Sequence, residues 1–338
     1  MLRTPYIEVT GPDGRNLAER FADEFVGIRV TDLAIGEIDE LAIMFRRRKP
    51  YLMPPASGTE FRAKLGWTRN EALMLGSFRY ERTQYAGDPE RGQEMVLICR
   101  AADMTDGWKR VDSEHFDEET GHKTYGDVLT TLAERQGLPA AIDEEIARIP
   151  LAGGYLLRWK QSAIGMASDI ADDLGAIVKL QAGKLTVRRN GSFRSPSGAP
   201  LPSVVIPFDP NYAFQVDIEP RYGFSEVSAG WFDSGTGRPV EALKSLGRGF
   251  ARLALPHLSP SRDFAEAIAG AAAQRLEAET ATAYFEMAGN PEAVAGAPVR
   301  PDGFGPDIDG VNWEARAVYH DAGPDRGWIT TVEAELAC

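Results

Sequence analysis

Part of this 338-residue chain occurs twice. Gly76-Ser77-Phe78 opens an alternating run that reaches Tyr85, followed by Gly87-Asp88-Pro89-Glu90-Arg91-Gly92 and a second run ending at Ala101-Ala102. Near the other end, Gly310-Val311-Asn312-Trp313 opens a run reaching Tyr319, then Gly323-Pro324-Asp325-Arg326-Gly327 and a run ending at Leu336-Ala337. The order is the same, and the second copy is one residue longer from Gly to Gly. Upstream, Gly58-Thr59-Glu60-Phe61 has a counterpart in Gly296-Ala297-Pro298-Val299. A Pro-acid-Arg-Gly turn suits any two strands, but several features matching in order favour two copies of one β-domain. Two such copies per chain would place six equivalent units in a ring of three chains.

Short strands bounded by turns fill the first hundred residues: Tyr6 to Thr10, Gly27 to Asp32, Glu40 to Phe45, Glu60 to Trp67, Gly76 to Tyr85 and Gln93 to Ala102. This spacing predicts a sandwich or barrel. Beyond it lies an acidic stretch, Asp112 to Glu119, and then a helix. Thr124 is placed to cap that helix with Asp127 in the capping-box position, and Tyr125, Val128, Leu129, Leu132 and Ala133 form its apolar stripe before Gly137 stops it. A second helix is predicted from about Ser162 to Leu174, and a hairpin over Ala176 to Arg188 turning at Ala182-Gly183. After the Ser/Pro/Gly-rich segment from Ser192 to Pro202, strands return at Tyr212 to Ile218 and Phe224 to Phe232. A helix at about 262–278 interrupts them, and Thr280 to Ala337 reads as strands again.

The fold class expected is therefore mainly β with an α/β insertion: two similar β-barrel domains flanking a small α/β domain. The limits are 1–105 for the first barrel, 106–190 for the middle domain and 191–338 for the second barrel, which carries the inserted helix.

With 37 Lys and Arg against 50 Asp and Glu, the chain has a formal charge of −13, which disfavours sequence-independent binding to phosphate backbones. DNA in passage along a channel wall is compatible with that charge. Two cysteines, Cys99 in an apolar run and Cys338 at the end, make no disulfide framework. No signal-peptide core or membrane-length apolar run is present, so synthesis in the host cytoplasm is expected.

Sequence motifs for catalysis are missing. There is no His-Glu-x-x-His, paired-Cys, Walker-type or Gly-x-Ser-x-Gly pattern. His115 and His122 lie among Asp112, Glu114, Asp117, Glu118 and Glu119 at irregular spacing, which reads as a solvated acidic loop rather than a metal site. Asp302 to Gly310 lacks the alternating acids and closing Glu of a calcium loop and reads as a turn between strands. No enzyme activity, cofactor or metal is expected. The middle region also has the size and element order of small peptidoglycan-binding modules, in which Tyr125, Tyr155 and Trp159 could stack on sugars, although Tyr125 sits on the apolar stripe.

Four segments together resemble the late-control gene D (baseplate hub) family of contractile-tailed phages, related to the hub part of VgrG-type spikes. They are Pro54-Pro55-Ala56-Ser57-Gly58-Thr59-Glu60 with Leu65-Gly66, Gly76 and Phe78; Ala101-Ala102-Asp103-Met104; Thr124 to Leu129 with Ser168 to Ala176 and Ala182 to Leu185; and Gly289-Asn290-Pro291, Gly303-Phe304, Asp309 to Trp313 and Gly327 to Glu333. The resemblance implies that the two barrels are tube-like and that the chain is a homotrimeric structural adaptor around an axial channel, without a cofactor, located in a virion tail. Its partners would be the tail tube or a distal tail protein, a separate central spike, the tape-measure protein and other baseplate proteins, with no stable membrane association. The alternative is a cell-wall-binding or peptidoglycan-degrading tail protein. Interface candidates are the basic run Arg46, Arg47, Arg48 and Lys49, as a solvated face, an interchain salt-bridge surface or a lumenal ring, and Trp67, Trp108, Trp231, Trp313 and Trp328, for barrel packing or subunit contacts.

Overall fold

A computed structural model describes residues 4–34, 38–90, 92–101, 106–181, 183–194, 198–219, 223–247 and 250–337. Arg91, Ala102, Asp103, Met104, Ala182 and Cys338, all used in the sequence reading, lie outside the described residues.

The first six strands are β1 (Tyr6–Thr10), β2 (Phe25–Leu33), β3 (Glu40–Arg46), β4 (Glu60–Gly66), β5 (Leu73–Asp88) and β6 (Gly92–Ala101), with a one-turn helix α1 (Leu17–Arg20) after β1. The middle segment holds α2 (Asp106–Lys109), β7 (Val111–Asp117), α3 (Tyr125–Glu134), β8 (Ala140–Ile142), α4 (Glu144–Ala147), β9 (Tyr155–Ser162), α5 (Ala163–Asp173), β10 (Ala176–Gln181) and β11 (Lys184–Arg189). The last part holds β12 (Val204–Pro207), β13 (Phe214–Ile218), β14 (Phe224–Asp233), β15 (Arg238–Ser245), β16 (Ala251–Ala254), α6 (Arg262–Ala278), β17 (Ala281–Ala288), β18 (Pro298–Asp302), α7 (Pro306–Asp309), β19 (Trp313–Gly323) and β20 (Gly327–Leu336). The protein is mainly β with an α/β insertion.

The repeat is visible in the strand pairing. In the first copy the neighbours run β1-β4-β5-β6-β3-β2, and in the second β12-β18-β19-β20-β17-β13. Each set, taken in chain order, occupies the same places. The detail matches too: Phe61 sits opposite Phe78, and Val299 opposite Trp313. One bulge falls between Tyr80 and Arg82, the other between Ala315 and Ala317. Tyr80 donates to Thr59 O and accepts from Gly58 N; Ala315 donates to Ala297 O and accepts from Gly296 N. Gly58 and Gly296 hold φ of 79° and 80°, a left-handed turn that glycine adopts without strain. The turns are of equal length, Asp88 facing Gly92 and Gly323 facing Gly327, so the extra residue of the second copy lies upstream of Trp313. One difference remains: β1 pairs antiparallel with β4, whereas β12 pairs parallel with β18.

The copies are not separate sheets. β2 pairs antiparallel with β19, from Ile28 opposite Ala322 to Leu33 opposite Ala317, and so fuses both into one twelve-stranded sheet.

Alternation of apolar side chains along each strand gives each copy its own core. Ile28, Leu41, Ile43, Leu65 and Phe78 lie in the first, and Phe285, Trp313, Val318 and Val332 in the second. Between β13 and β17 the chain inserts the β15-β14-β16 sheet, covered by α6 through Ala265, Ala269 and Ala273. The sequence reading took Phe224 to Phe232 as part of the second barrel; the strand there belongs instead to this satellite sheet, because its apolar residues face α6.

The middle segment packs α3 and α5 on the β10-β11-β8 sheet around Leu129, Leu132, Met166 and Leu185. Thr124 and Asp127 form the expected capping box, and Ser162 caps α5. The acidic stretch is not a free loop. Val111–Asp117 pairs with β9, burying Phe116, and Glu114 pairs with the buried Arg158 of β9 at 2.8 Å. The turn at Asp302–Gly310 contains the short helix α7, where the Asp309 carboxylate accepts from the N–H groups of Gly303, Phe304 and Gly305. Among the described residues no helix is long and apolar enough to cross a membrane.

Gly27 marks how closely the two copies approach. A Cβ there would sit 2.2 Å from the Ala322 carbonyl oxygen, and its φ is 154°. Replacing Gly27 by Ala is expected to destabilise the fold by about 1–3 kcal/mol, the usual cost of overpacking. Urea denaturation would register this as a lower midpoint with an unchanged slope.

Candidate assembly interface

Nothing among the described residues gathers three His, Cys, Asp or Glu side chains as a metal site. The chemistry that stands out is the way charge and aromatic side chains hold three parts of one chain together.

Asp32 is the meeting point. It lies on β2, pairs with Lys179 of β10, and accepts from the Ala295 N–H of the second copy at 2.9 Å. Lys179 also lies 3.1 Å from Asp39. Burial would raise the Asp32 carboxyl, but Lys179 overrides it and holds Asp32 below the ordinary value. Burial pushes Asp39 up to about 6, against the pull of Lys179 and helped by the charge of Asp32. One ammonium thus serves two carboxylates, of which Asp39 takes up a proton first as pH falls. A second clasp joins the middle segment to the other copy: Arg188 of β11 donates to Gly296 O and lies 3.8 Å from Glu314, whose carboxyl burial raises to about 7. A cleft of roughly 510 Å³, lined by both charged and apolar side chains, lies at this three-way contact.

Around the β2–β19 seam, Arg29 pairs with Asp321 at 2.7 Å, and Arg326 pairs with the other oxygen of the same carboxylate. The basic run contributes here. Arg46 reaches Asp325 in the second copy's turn at 2.9 Å, and Arg48 pairs with Glu24 at 2.9 Å. Arg47 donates to Gln93 and lies over the Tyr51 and Tyr85 rings; Lys49 is exposed. Two members of the run are therefore held by acids of their own chain.

Burial sorts the tryptophans. Trp108 and Trp313 are fully buried in the middle and second-copy cores, and Trp328 is buried where it meets the first copy. Trp67 packs at a tilt against Trp328 with centroids 5.2 Å apart and donates Nε1–H to Gly289 O at 2.7 Å, so the pair ties the copies together. Trp231 is half-buried under α6. Tyr125 is buried and stacks on Phe264, while Tyr155 and Trp159 are exposed on β9.

Sequence reasoning missed Asp32, Asp39, Lys179, Arg188 and Glu314. Lys179 left one signal: a lysine between Val178 and Leu180 in a strand whose next-door positions are core.

No family model matches the chain. Over 238 residues it is 25% identical to the probable baseplate hub protein of Escherichia phage 186, covering 70% of this chain and 58% of that one. Over 229 residues it is 22% identical to the probable baseplate hub protein of Escherichia phage P2, covering 67% and 56%. The chain is related to phage baseplate hub proteins. It spans less than three fifths of the length of these two hub relatives. The likeness in fold extends over the whole chain: the 43 kDa tail protein of prophage MuSo2 from Shewanella oneidensis superposes with a TM-score of 0.67 at 12% identity, covering 98% of each chain.

Two outcomes test the clasps. Lys179→Met leaves two buried carboxylates without their cation and should cost about 3–5 kcal/mol at pH 7. The loss should shrink near pH 5, where Asp39 is already protonated; urea titrations at both pH values would show it.

His320 offers the opposite pH dependence. It is buried beside Trp328 and hydrogen-bonded to Thr330, and burial lowers its pKa from 6.5 to about 4. Above pH 6.5 neither state holds the proton. Between 6.5 and 4 the unfolded chain takes it up and the folded chain refuses it, so stability falls as pH falls, by roughly 3 kcal/mol in all. His320→Gln should remove that component of the slope, read as the difference between the two proteins' urea midpoints from pH 7 to 4.5.

Proposed function

We propose that this chain is a structural hub of a phage-type tail, a trimeric adaptor that joins a sixfold tail tube to a threefold central spike around an axial channel. The observation that carries this reading is the doubled six-stranded module. One chain supplies two equivalent units side by side, so three chains supply six, and the same ring can face a sixfold neighbour and a threefold one. The similarity to baseplate hub proteins supports it. In this reading residues 1–105 and 191–338 form the ring, and 106–190 brace it from outside.

The partners proposed are two further copies, the tail tube or a distal tail protein on one face, and a separate spike on the other. The tape-measure protein and other baseplate proteins complete the setting, and DNA meets the hub only in passage. The acidic balance fits a wall past which a polyanion slides, since like charge opposes sticking. Arg47 and Lys49 are the members of the basic run proposed to face a neighbouring chain. The hub works by binding and symmetry matching and catalyses nothing; its place is the virion tail, after synthesis in the host cytoplasm. The cell-wall-binding alternative rests on Tyr155 and Trp159, and loses Tyr125 to the core.

Light scattering of the purified protein over a range of concentrations tests the proposal. A mass near three times 36.9 kDa is the expected result. A stable dimer would overturn the ring of six modules.

A further inference from the structure

Each module ends, on the side away from β1 or β12, in the strand β2 in the first and β13 in the second, and has one long strand that can receive such an end, β5 or β19. Within the chain only one of these contacts is made. β19 holds β18 along its first half and β2 along its second half, both on the side away from β20. Its counterpart β5 holds β4 along its first half, as far as Tyr80. Beyond Tyr80, among the described residues, no strand pairs with that edge of β5, nor with the edge of β13 away from β17.

Exposure follows this asymmetry. Ala317, Val318, His320 and Ala322 on β19 are buried under the seam, whereas at the matching places on β5 Arg82, Tyr85 and Gly87 are exposed and Thr83 is half-buried. Ile28 and Val30 on β2 are buried, while on β13 the counterpart of Ile28, Phe214, is 44% exposed and that of Val30, Val216, is half-buried. Flat, partly apolar strand edges of this kind are templates for another chain.

We infer that β13 of one copy pairs antiparallel with the second half of β5 in the next copy, in the register that β2 and β19 adopt inside the chain. This rests on the trimeric hub reading and assigns the contact that would close the ring. Carrying the internal register across places Glu219 opposite Arg82, Asp217 opposite Gln84, Val216 opposite Tyr85 and Phe214 opposite Gly87. Two of these pairs were not used to derive the register, yet they suit it. Arg82 meets an opposite charge, and Tyr85 meets a β-branched side chain, both favourable cross-strand neighbours. The copied pairing ends at Phe214, because the next residue, Ala213, carries the Cβ that its counterpart Gly27 cannot have.

A disulfide trap reads the register directly. Ala34 N–H donates to Arg316 O, so in the internal seam Thr31 and Tyr319 fall on a non-hydrogen-bonded pair, where Cβ atoms come closest. Their counterparts are Asp217 and Gln84. The full chain carrying Gln84→Cys, Asp217→Cys and Cys338→Ser is oxidised and run on denaturing gels without reductant, beside a control with Ile218→Cys in place of Asp217→Cys. A covalently closed three-chain species from the first protein, several-fold in excess of the control, is the expected result. A trimer by light scattering that gives no such species, or equal amounts from both proteins, overturns the strand pairing and leaves the hub reading standing. A chain that stays monomeric at every concentration overturns both.

A charge exchange checks the same contact without cysteine. Arg82→Glu and Glu219→Arg should each weaken self-association several-fold, and the double variant should recover it. Unchanged far-UV circular dichroism would show that all three fold, and failure of the double variant to recover counts against the pairing.

Discussion

The β2–β19 pairing is the contact on which the rest of the molecule depends. Each module alone ends in an edge strand whose backbone groups face water. Joining β2 to β19 satisfies six residue pairs along one such edge and buries Ile28, Val30, Val318 and Ala322 at once. Backbone pairing fixes direction and spacing, and a slip by one residue would turn every apolar side chain outward. The ion pairs at the rim, Arg29–Asp321 and Arg46–Asp325, are half-exposed and contribute little energy by themselves. They favour one register over its neighbours, which is a matter of specificity.

With the two modules fixed, the middle segment has a rigid surface to dock on. Its β10–β11 hairpin is two-faced. Val178, Leu180, Leu185 and Val187 point into its own core, and Lys179 and Arg188 project from the opposite face, one toward each module. Burying both cations costs desolvation that a hydrophobic pair would avoid. What the charges supply is selectivity: Lys179 fits only where Asp32 and Asp39 converge, and Arg188 only beside Glu314 and the Gly296 carbonyl. The segment is thus held at two points and cannot swing about either.

Much of this was legible in the sequence, for reasons that differ by element. The capped helices were readable because Thr124 with Asp127, and Ser162 with the stripe after it, satisfy helix ends through neighbours in sequence. The repeat was readable because turns with fixed glycine positions survive divergence better than core side chains: Gly58 and Gly296 match, while Phe78 has become Trp313. The tryptophans were recognisable as important, but size alone does not tell a core from a contact surface, and burial placed Trp108 and Trp313 within the chain. The β7–β9 ribbon was masked by its composition, since a run of acids around a single large apolar residue, Phe116, looks like a loop when the partner strand is about forty residues away. The Asp32–Lys179–Asp39 cluster left almost no local trace, because its members converge only after three segments have folded.

The second module differs from the first chiefly by insertion. Where the first joins β2 to β3 through a short connection, the second places β14, β15, β16 and α6 between β13 and β17. Loop closure cost grows slowly with length, so a segment that folds on its own core can be added there without loosening the strands on either side. Ala265, Ala269 and Ala273 give the insertion that core, and Gln215 still faces Tyr284 as Arg29 faces Ala42 in the other copy. An insertion at a strand end leaves the pairing of β13 with β17 intact and, among the described residues, its outer edge unpaired. The sites where this chain has changed and the edge it has kept open are therefore consistent with a single requirement, that every module remain able to receive the next.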